Sequence, residues 1–261
     1  MVAIRQCKYK GGISLKYYTI GPLNHLDLVE KSQCHLVVAQ HLTGKTFLFY
    51  KRLREQGKEI ILDNGAFETG RSMDVNQYVL LANKLKPRII VIPDIWKDME
   101  GTLKVTADFL KLIKHRDKGY EPKFMFVPQG ETIRDLVECF MIFMADWGNP
   151  KKINLIGLPY KQWEDTTGVF RRMLAKNLTD LDDVRFHLLG LYSLEEATLG
   201  KLIPRVVSCD SSLPFKAAMM GSLLSKDPTV YTNKFNFRVD FDGIKLRMAK
   251  MNLQTIEGAV L

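Results

Sequence analysis

Glu59-Ile-Ile-Leu-Asp63-Asn-Gly-Ala-Phe-Glu68 is an apolar run of strand length that breaks into a polar, glycine-containing turn. A helix-length amphipathic stretch, 73–85, follows it, and the next apolar run comes at 88–92. The same unit recurs along the chain. Apolar runs also occur at 16–20, 35–40, 123–127, 153–157, 185–189 and 205–208, with helix-like stretches at 44–56, 101–115, 132–146 and 163–176. Eight alternations of this kind predict an α/β fold, a (βα)8 TIM-type barrel of parallel strands. A doubly wound open sheet is the competitor, but it usually has fewer strands and needs a Gly-rich phosphate turn after the first strand, which this sequence lacks.

Beyond the eighth run, 214–224 reads as the last barrel helix, so the barrel is assigned to residues 1–224 and a short C-terminal extension to 225–261. The extension contains Lys234-Phe-Asn-Phe-Arg-Val-Asp-Phe241, whose aromatic alternation predicts a strand or extended arm packed on the barrel. A basic and aromatic mixture of this sort also suits contact with nucleic acid.

At 261 residues and 46% hydrophobic, the chain has material for a sizeable core and lies outside the disordered and fibrous classes. Its longest apolar runs fall far short of the roughly 20 residues a bilayer-spanning helix needs, so no membrane association is expected. The start, MVAIRQCKYKGG, has no apolar signal region, which gives the expectation of a cytoplasmic protein, in the host cytoplasm if the chain is phage-encoded. Cys7, Cys34, Cys139 and Cys209 are widely spaced and form no metal-ligand pattern, so free thiols are expected and structural zinc is not.

Charge is more informative. The net charge of +9 is concentrated at the start, where ten Lys or Arg in residues 1–58 face Asp27, Glu30 and Glu55, an excess of 10 − 3 = +7. That asymmetry points to a polyanionic partner, with a simple solvated basic face as the alternative.

In a barrel of this kind the residues just past the strands form the face that carries chemistry. Those positions hold Asp63-Asn64-Gly65-Ala-Phe67-Glu68, Pro93-Asp94, Gln129-Gly130, Gly157-Leu158 and Asp210-Ser-Ser-Leu-Pro214. Each has a purely structural reading as well. Asp63-Asn-Gly is turn chemistry, Gln129-Gly130 opens a loop, and Asp94 and Asp210 are both placed to cap helices. Taken together, three carboxylates, an amide and several glycines on one rim are what a polar planar ligand needs.

These segments resemble, in order across residues 59–216, the motifs of the tRNA-guanine transglycosylase superfamily. The family's D-S-G-G-[YF]-Q turn is similar to Asp63-Asn64-Gly65-Ala66-Phe67-Glu68, and its F-D-E turn to Pro93-Asp94-Ile95. Its Q-G and G-L turns match Gln129-Gly130 and Gly157-Leu158. Its Y-L-M-G-V-G segment is similar to His187-Leu-Leu-Gly-Leu191, and its D-C-V-L-P motif to Asp210-Ser-Ser-Leu-Pro214. The cysteines and length of the tRNA enzymes' zinc subdomain are missing, and Phe215-Lys216 stands where the family has T-R. The resemblance is therefore closest to the zinc-free relatives that insert 7-deazaguanines into phage and bacterial DNA.

What the resemblance implies is a guanine exchange on DNA. Asp210 would be the nucleophile on C1′ and Asp63 the proton shuttle. Asp94 would read the guanine edge. Gln129, Gly130 and the backbone of Gly157 and Leu158 would hold O6 and the 7-substituent, with Asn64 and Gly65 also binding the substrate and Phe67 stacking on the ring. The co-substrate would be a free 7-deazaguanine base of the preQ0 type. No redox cofactor or metal is implied, and a duplex-opening protein partner is left open. The alternatives are a tRNA-guanine transglycosylase without the zinc subdomain and a non-catalytic nucleic-acid-binding subunit of such an enzyme.

Overall fold

A computed structural model describes residues 15–115, 117–148, 153–159, 169–177, 184–225 and 235–260. It shows a closed barrel in which eight strands pair in parallel in chain order and the last returns to the first. The strands are β1 (Lys16–Thr19), β2 (Cys34–Val38), β3 (Glu59–Asp63), β4 (Ile89–Val91), β5 (Lys123–Phe126), β6 (Ile153–Leu158), β7 (Arg185–Leu188) and β8 (Val206–Ser211). The helices are α1 (Gly44–Glu55), the single turn α2 (Ala66–Thr69), α3 (Val75–Leu85), α4 (Met99–Leu112), α5 (Ile133–Trp147), α6 (Val169–Asn177), α7 (Leu194–Gly200), α8 (Leu213–Met219) and α9 (Gly243–Val260). The barrel expected from the alternating runs is therefore the observed fold. The stretch 163–168, expected to open the sixth helix, lies outside the described residues, as does Cys7, while Cys34, Cys139 and Cys209 are free thiols.

The strands divide their side chains between two apolar layers. Tyr18, Leu36, Val38, Ile61, Val91, Met125, Val127 and Leu155 fill the barrel. Ile60, Leu62, Ile90, Phe126, Ile156, Leu158, Phe186 and Leu188 face the helices, where Phe126 stacks flat on Phe143 of α5 with ring centroids 3.7 Å apart. Helix starts follow the expected chemistry. Thr132 and Asp135 form a reciprocal capping box on α5, and Asp74 and Asp98 accept from backbone N–H groups of α3 and α4. At the N-terminal end of the barrel Glu59 accepts from Lys16 Nζ at 2.6 Å and from the Tyr18 hydroxyl at 2.9 Å. That network plugs one end and leaves the strands' C-terminal end to hold a cavity.

The chain's last quarter departs from the expectation. β8 runs to Ser211, three residues past the expected end, so Asp210 sits within a strand; Ser212 takes the N-cap position of α8 without a side-chain bond, and the Ser211 hydroxyl accepts from Leu213 N–H at 2.9 Å. The last barrel helix stops at Met219, ahead of a left-handed Gly221 (φ 71°). Residues 235–242 form an irregular arm with a turn in which Val239 N–H donates to Asn236 O at 3.2 Å, rather than a strand. An unforeseen helix, α9, follows and buries Ala249, Asn252, Leu253, Ile256 and Val260 against α7, α8 and β1. Asn252 locks this packing by donating to Pro214 O and Ser222 O and accepting from Leu224 N–H.

Candidate active site

A cavity of about 390 Å³ opens at the C-terminal end of the strands. Asp63 at the end of β3, Asn64 and Phe67 just past it, Asp94 after β4, Gln129 after β5 and Asp210 on β8 all line it, so six of the ten residues singled out from sequence meet around one space. The other four support it from behind. Gly65 adopts a left-handed φ of 78°, where a Cβ would overlap the Gln40 carboxamide. At Gly130 a Cβ would lie 2.4 Å from Asp135 Cβ at the start of α5. Gly157 lets Leu189 and Val127, both on the cavity wall, close over it, since a Cβ there would lie 2.7 Å from Leu189 Cδ1. Leu158 turns its side chain into the outer core, and its carbonyl accepts from Arg171 Nη1 at 3.1 Å and from Leu189 N–H at 3.1 Å.

The β3 and β4 loops are stitched into one wall. Ser72 N–H donates to Asp94 O, Met73 N–H to Asn64 O and Trp96 N–H to Gly70 O, at 3.1, 3.0 and 3.1 Å. Within that wall the Asp94 carboxylate, 4% exposed, is gripped on both oxygens, by Asn64 Nδ2 at 2.6 Å and Gln129 Nε2 at 2.5 Å. Asn64 is itself fixed because its Oδ1 accepts from Ala66 N–H, and Gln129 because its Oε1 accepts from Lys97 N–H. Both amides, assigned to ligand from sequence, are thus first the orienters of Asp94. Burial pushes the Asp94 carboxyl up to about 7, against the pull of these two donors.

Asp63 keeps a partly accessible edge toward the cavity but lies deep among protein atoms. Burial, and then the negative charges of Glu68 and Asp94, hold its carboxyl well above the ordinary range, and the Gly65 N–H donated to Oδ2 at 3.0 Å offsets this only in part. Asp210 adds to the same repulsion, so both other aspartates act on Asp63. These surroundings favour the protonated form of Asp63.

Sequence reasoning missed the residue that grips Asp210. His187, fully buried on β7, places Nε2 2.8 Å from Asp210 Oδ1 and Nδ1 2.7 Å from the Ser208 hydroxyl. Gly190 N–H donates to Asp210 Oδ2 at 3.2 Å. Serine, histidine and aspartate in a row invite comparison with a hydrolase triad, but the polarity is reversed. Asp210 and Ser208 are both buried, but Asp210 lines the cavity and Ser208 does not. The acid, not the hydroxyl, is the end that reaches the cavity. A register irregularity between Phe186 and His187 in the β7–β8 pairing brings these side chains together. Behind them, Arg171 binds Glu196 with both branches of its guanidinium, at 2.7 and 2.6 Å, and donates to the carbonyls of Leu158, Leu189 and Gly190, which holds the ends of β6 and β7 in place.

Aromatic side chains frame the mouth. Phe67, 40% exposed, meets Trp96 edge-on at 5.2 Å, and His41, Phe235 and Phe237 line another part of the cavity with Lys216. Among the described residues no group of three or more His, Cys, Asp or Glu side chains is arranged to hold a metal ion, and no helix is long and apolar enough to cross a membrane. The basic start of the chain is partly used internally. Lys16 pairs with Glu59, Arg52 pairs with Glu30, and Lys58 donates to the carbonyls of Glu30 and Ser32. No family model matches the sequence, and no curated protein matches it significantly.

Proposed function

We propose that this protein is a DNA-guanine transglycosylase, which exchanges guanine in DNA for a free 7-deazaguanine base through a covalent sugar ester. The observation that carries this reading is the convergence of Asp63, Asp94 and Asp210 on one cavity, each held by different partners: Asp63 by the Gly65 N–H, Asp94 by Asn64 and Gln129, and Asp210 by His187 and the Gly190 N–H. Exchange of one purine for another at the same carbon with retention needs two inversions, and hence a nucleophile that holds the sugar between them. Asp210 Oδ2 attacks C1′, forming the C1′–O bond as the C1′–N9 bond breaks. Oδ2 is assigned this role because its contact with Gly190 N–H is longer than that of Oδ1 with His187.

Asp63 supplies the proton that lets guanine leave as a neutral base. The incoming base then gives its N9 proton to Asp63 and attacks C1′, and the Asp210 carboxylate is released, so both acids return to their starting forms. Asp94, held planar by Asn64 and Gln129, accepts from N1–H and the 2-amino group. Phe67 and Trp96 cover the ring. In duplex DNA the target base must leave the stack, at a cost of a few kcal/mol.

The test is incubation of the purified chain with labelled guanine and either DNA or tRNA. Label enters DNA. Label in tRNA alone would refute the substrate assignment, and label in neither would remove the activity.

His187 is a positioning residue in this scheme, because it touches Asp210 and not the base. His187→Leu lowers kcat by about 10²-fold through misalignment of the attacking carboxylate, with KM for DNA unchanged, and His187→Gln recovers part of the loss. A fall in protein stability with kcat intact would assign His187 to the core alone.

A further inference from the structure

The cavity has a second aromatic wall that the exchange chemistry does not use. Phe235 and Phe237 come from the C-terminal arm, far in sequence from any motif, yet both line the cavity and stay only partly buried. The arm is anchored from two sides. Leu23 N–H donates to Phe237 O at 2.7 Å and Asn24 Nδ2 to Arg238 O at 2.9 Å, both from the loop after β1. Phe215 of α8 meets Phe235 at 6.2 Å and Phe241 at 6.5 Å. His41, just past β2, packs its ring on Phe237 at 4.2 Å.

The arm therefore stands over the β8, β1 and β2 side of the mouth, whereas Asp94 and Gln129 come from β4 and β5, across the barrel. A nucleotide whose base edge reaches Asp94 and whose C1′ meets Asp210 directs its sugar, and the chain continuing from it, toward the arm. What awaits there is suited to a ring rather than to a phosphate alone. Phe235 and Phe237 bring two rings to the cavity wall, set edge to face at 5.0 Å, and burial, together with the nearby Arg238, pushes the imidazole of His41 below its ordinary range, away from the cationic form. The Nε2 atom of His41 is buried and has no hydrogen-bond partner among the described residues. Lys216, also on the cavity wall, and Arg238, on the arm, supply positive charge for the backbone on either side.

We propose that Phe235, Phe237 and His41 form a stacking platform for a second, unpaired DNA base, the neighbour of the one engaged in the cavity. This rests on reading the cavity as a nucleobase site, and it makes opened or single-stranded DNA the form the protein binds. Stacking of this kind tolerates any base, because every base has a π face.

The test uses the full chain and a short single-stranded oligodeoxynucleotide with 2-aminopurine placed either beside a guanine or several nucleotides from it. Binding changes the fluorescence of the adjacent probe and not of the distant one. Phe237→Leu weakens oligonucleotide affinity about tenfold and removes the fluorescence change, while Phe237→Tyr keeps both. If Phe237→Leu does not fold, the position dependence in the unaltered protein decides. A change at both positions or at neither overturns the platform, as does binding of the equivalent RNA in preference to DNA. Incorporation of labelled guanine is scored separately. An adjacent-probe signal without incorporation would leave the platform and remove the transglycosylase, whereas incorporation with unchanged affinity in Phe237→Leu would do the reverse.

Discussion

Asp210→Asn lowers base exchange by about 10⁴-fold or more, the scale seen when a covalent nucleophile is removed. The exchange separates a chemical loss from a folding loss, because asparagine has the same shape and can keep both contacts of the native carboxylate. Its carbonyl oxygen can accept from Gly190 N–H, and its amide can donate to His187 once the imidazole adopts the other tautomer and the Ser208 hydroxyl turns to accept. The thermal midpoint should therefore stay within a few degrees while turnover disappears. A second readout follows from the ester. Unaltered protein, mixed with DNA and denatured before the incoming base is added, carries DNA on a denaturing gel, and Asp210→Asn carries none. Retention of a tenth of the activity, or of the adduct, would move the nucleophile to another residue. Among the described residues Asp63, Glu68 and Asp94 also bring carboxyl groups to the cavity, and the surroundings that favour the protonated form of Asp63 make it a poor nucleophile.

The barrel was legible because parallel strands covered by helices read as short continuous apolar runs, and each run ends in residues that cannot belong to a strand or to a helix interior. Asp63-Asn64-Gly65 and Pro93-Asp94 stood out for that reason, and the fold placed both on the cavity. The same continuity hid other features. In a strand buried on both faces, no alternation tells which side chains point inward, so His187 looked like one more core position between Phe186 and Leu188. The end of β8 was obscured because Cys209-Asp210-Ser211 has turn composition, although Tyr17 and Tyr18 of β1 pair across from Cys209 and Asp210. The aromatic alternation at 235–241 is real, and the burial alternates with it, but the arm's hydrogen bonds run to the loop after β1 and to its own turn, so no ladder forms. Its contribution to the cavity depends on contacts more than two hundred residues apart in sequence, as in Asn24 with Arg238, which no local pattern can signal.

On the proposed reading, Asp94 couples recognition of the base to pH in a direction that follows from its surroundings. With the carboxyl pushed up from its ordinary 3.8 to about 7, the folded protein without ligand holds this proton more tightly than the unfolded chain does. Its contribution to stability is thus fully present below the unfolded value and is lost as pH rises through about 7. A guanine edge reverses the preference, because N1–H and the 2-amino group are both donors and bind the ionised form. Affinity for the free base is accordingly full above pH 7, and below it declines by up to about tenfold per pH unit as a proton must first be removed. Asp94→Asn removes both behaviours. The new amide presents one donor where a carboxylate oxygen accepted, so Asn64 Nδ2 or Gln129 Nε2 loses its partner, and only one of the two donors on the base can still be accepted. Base affinity should fall about 10³-fold, since a site built around donor–acceptor pairing discriminates strongly against a mismatch. Equilibrium dialysis with labelled guanine across the pH range measures both effects. Affinity that rises on acidification, or an Asp94→Asn protein that binds guanine normally, would show that the base is read elsewhere in the cavity.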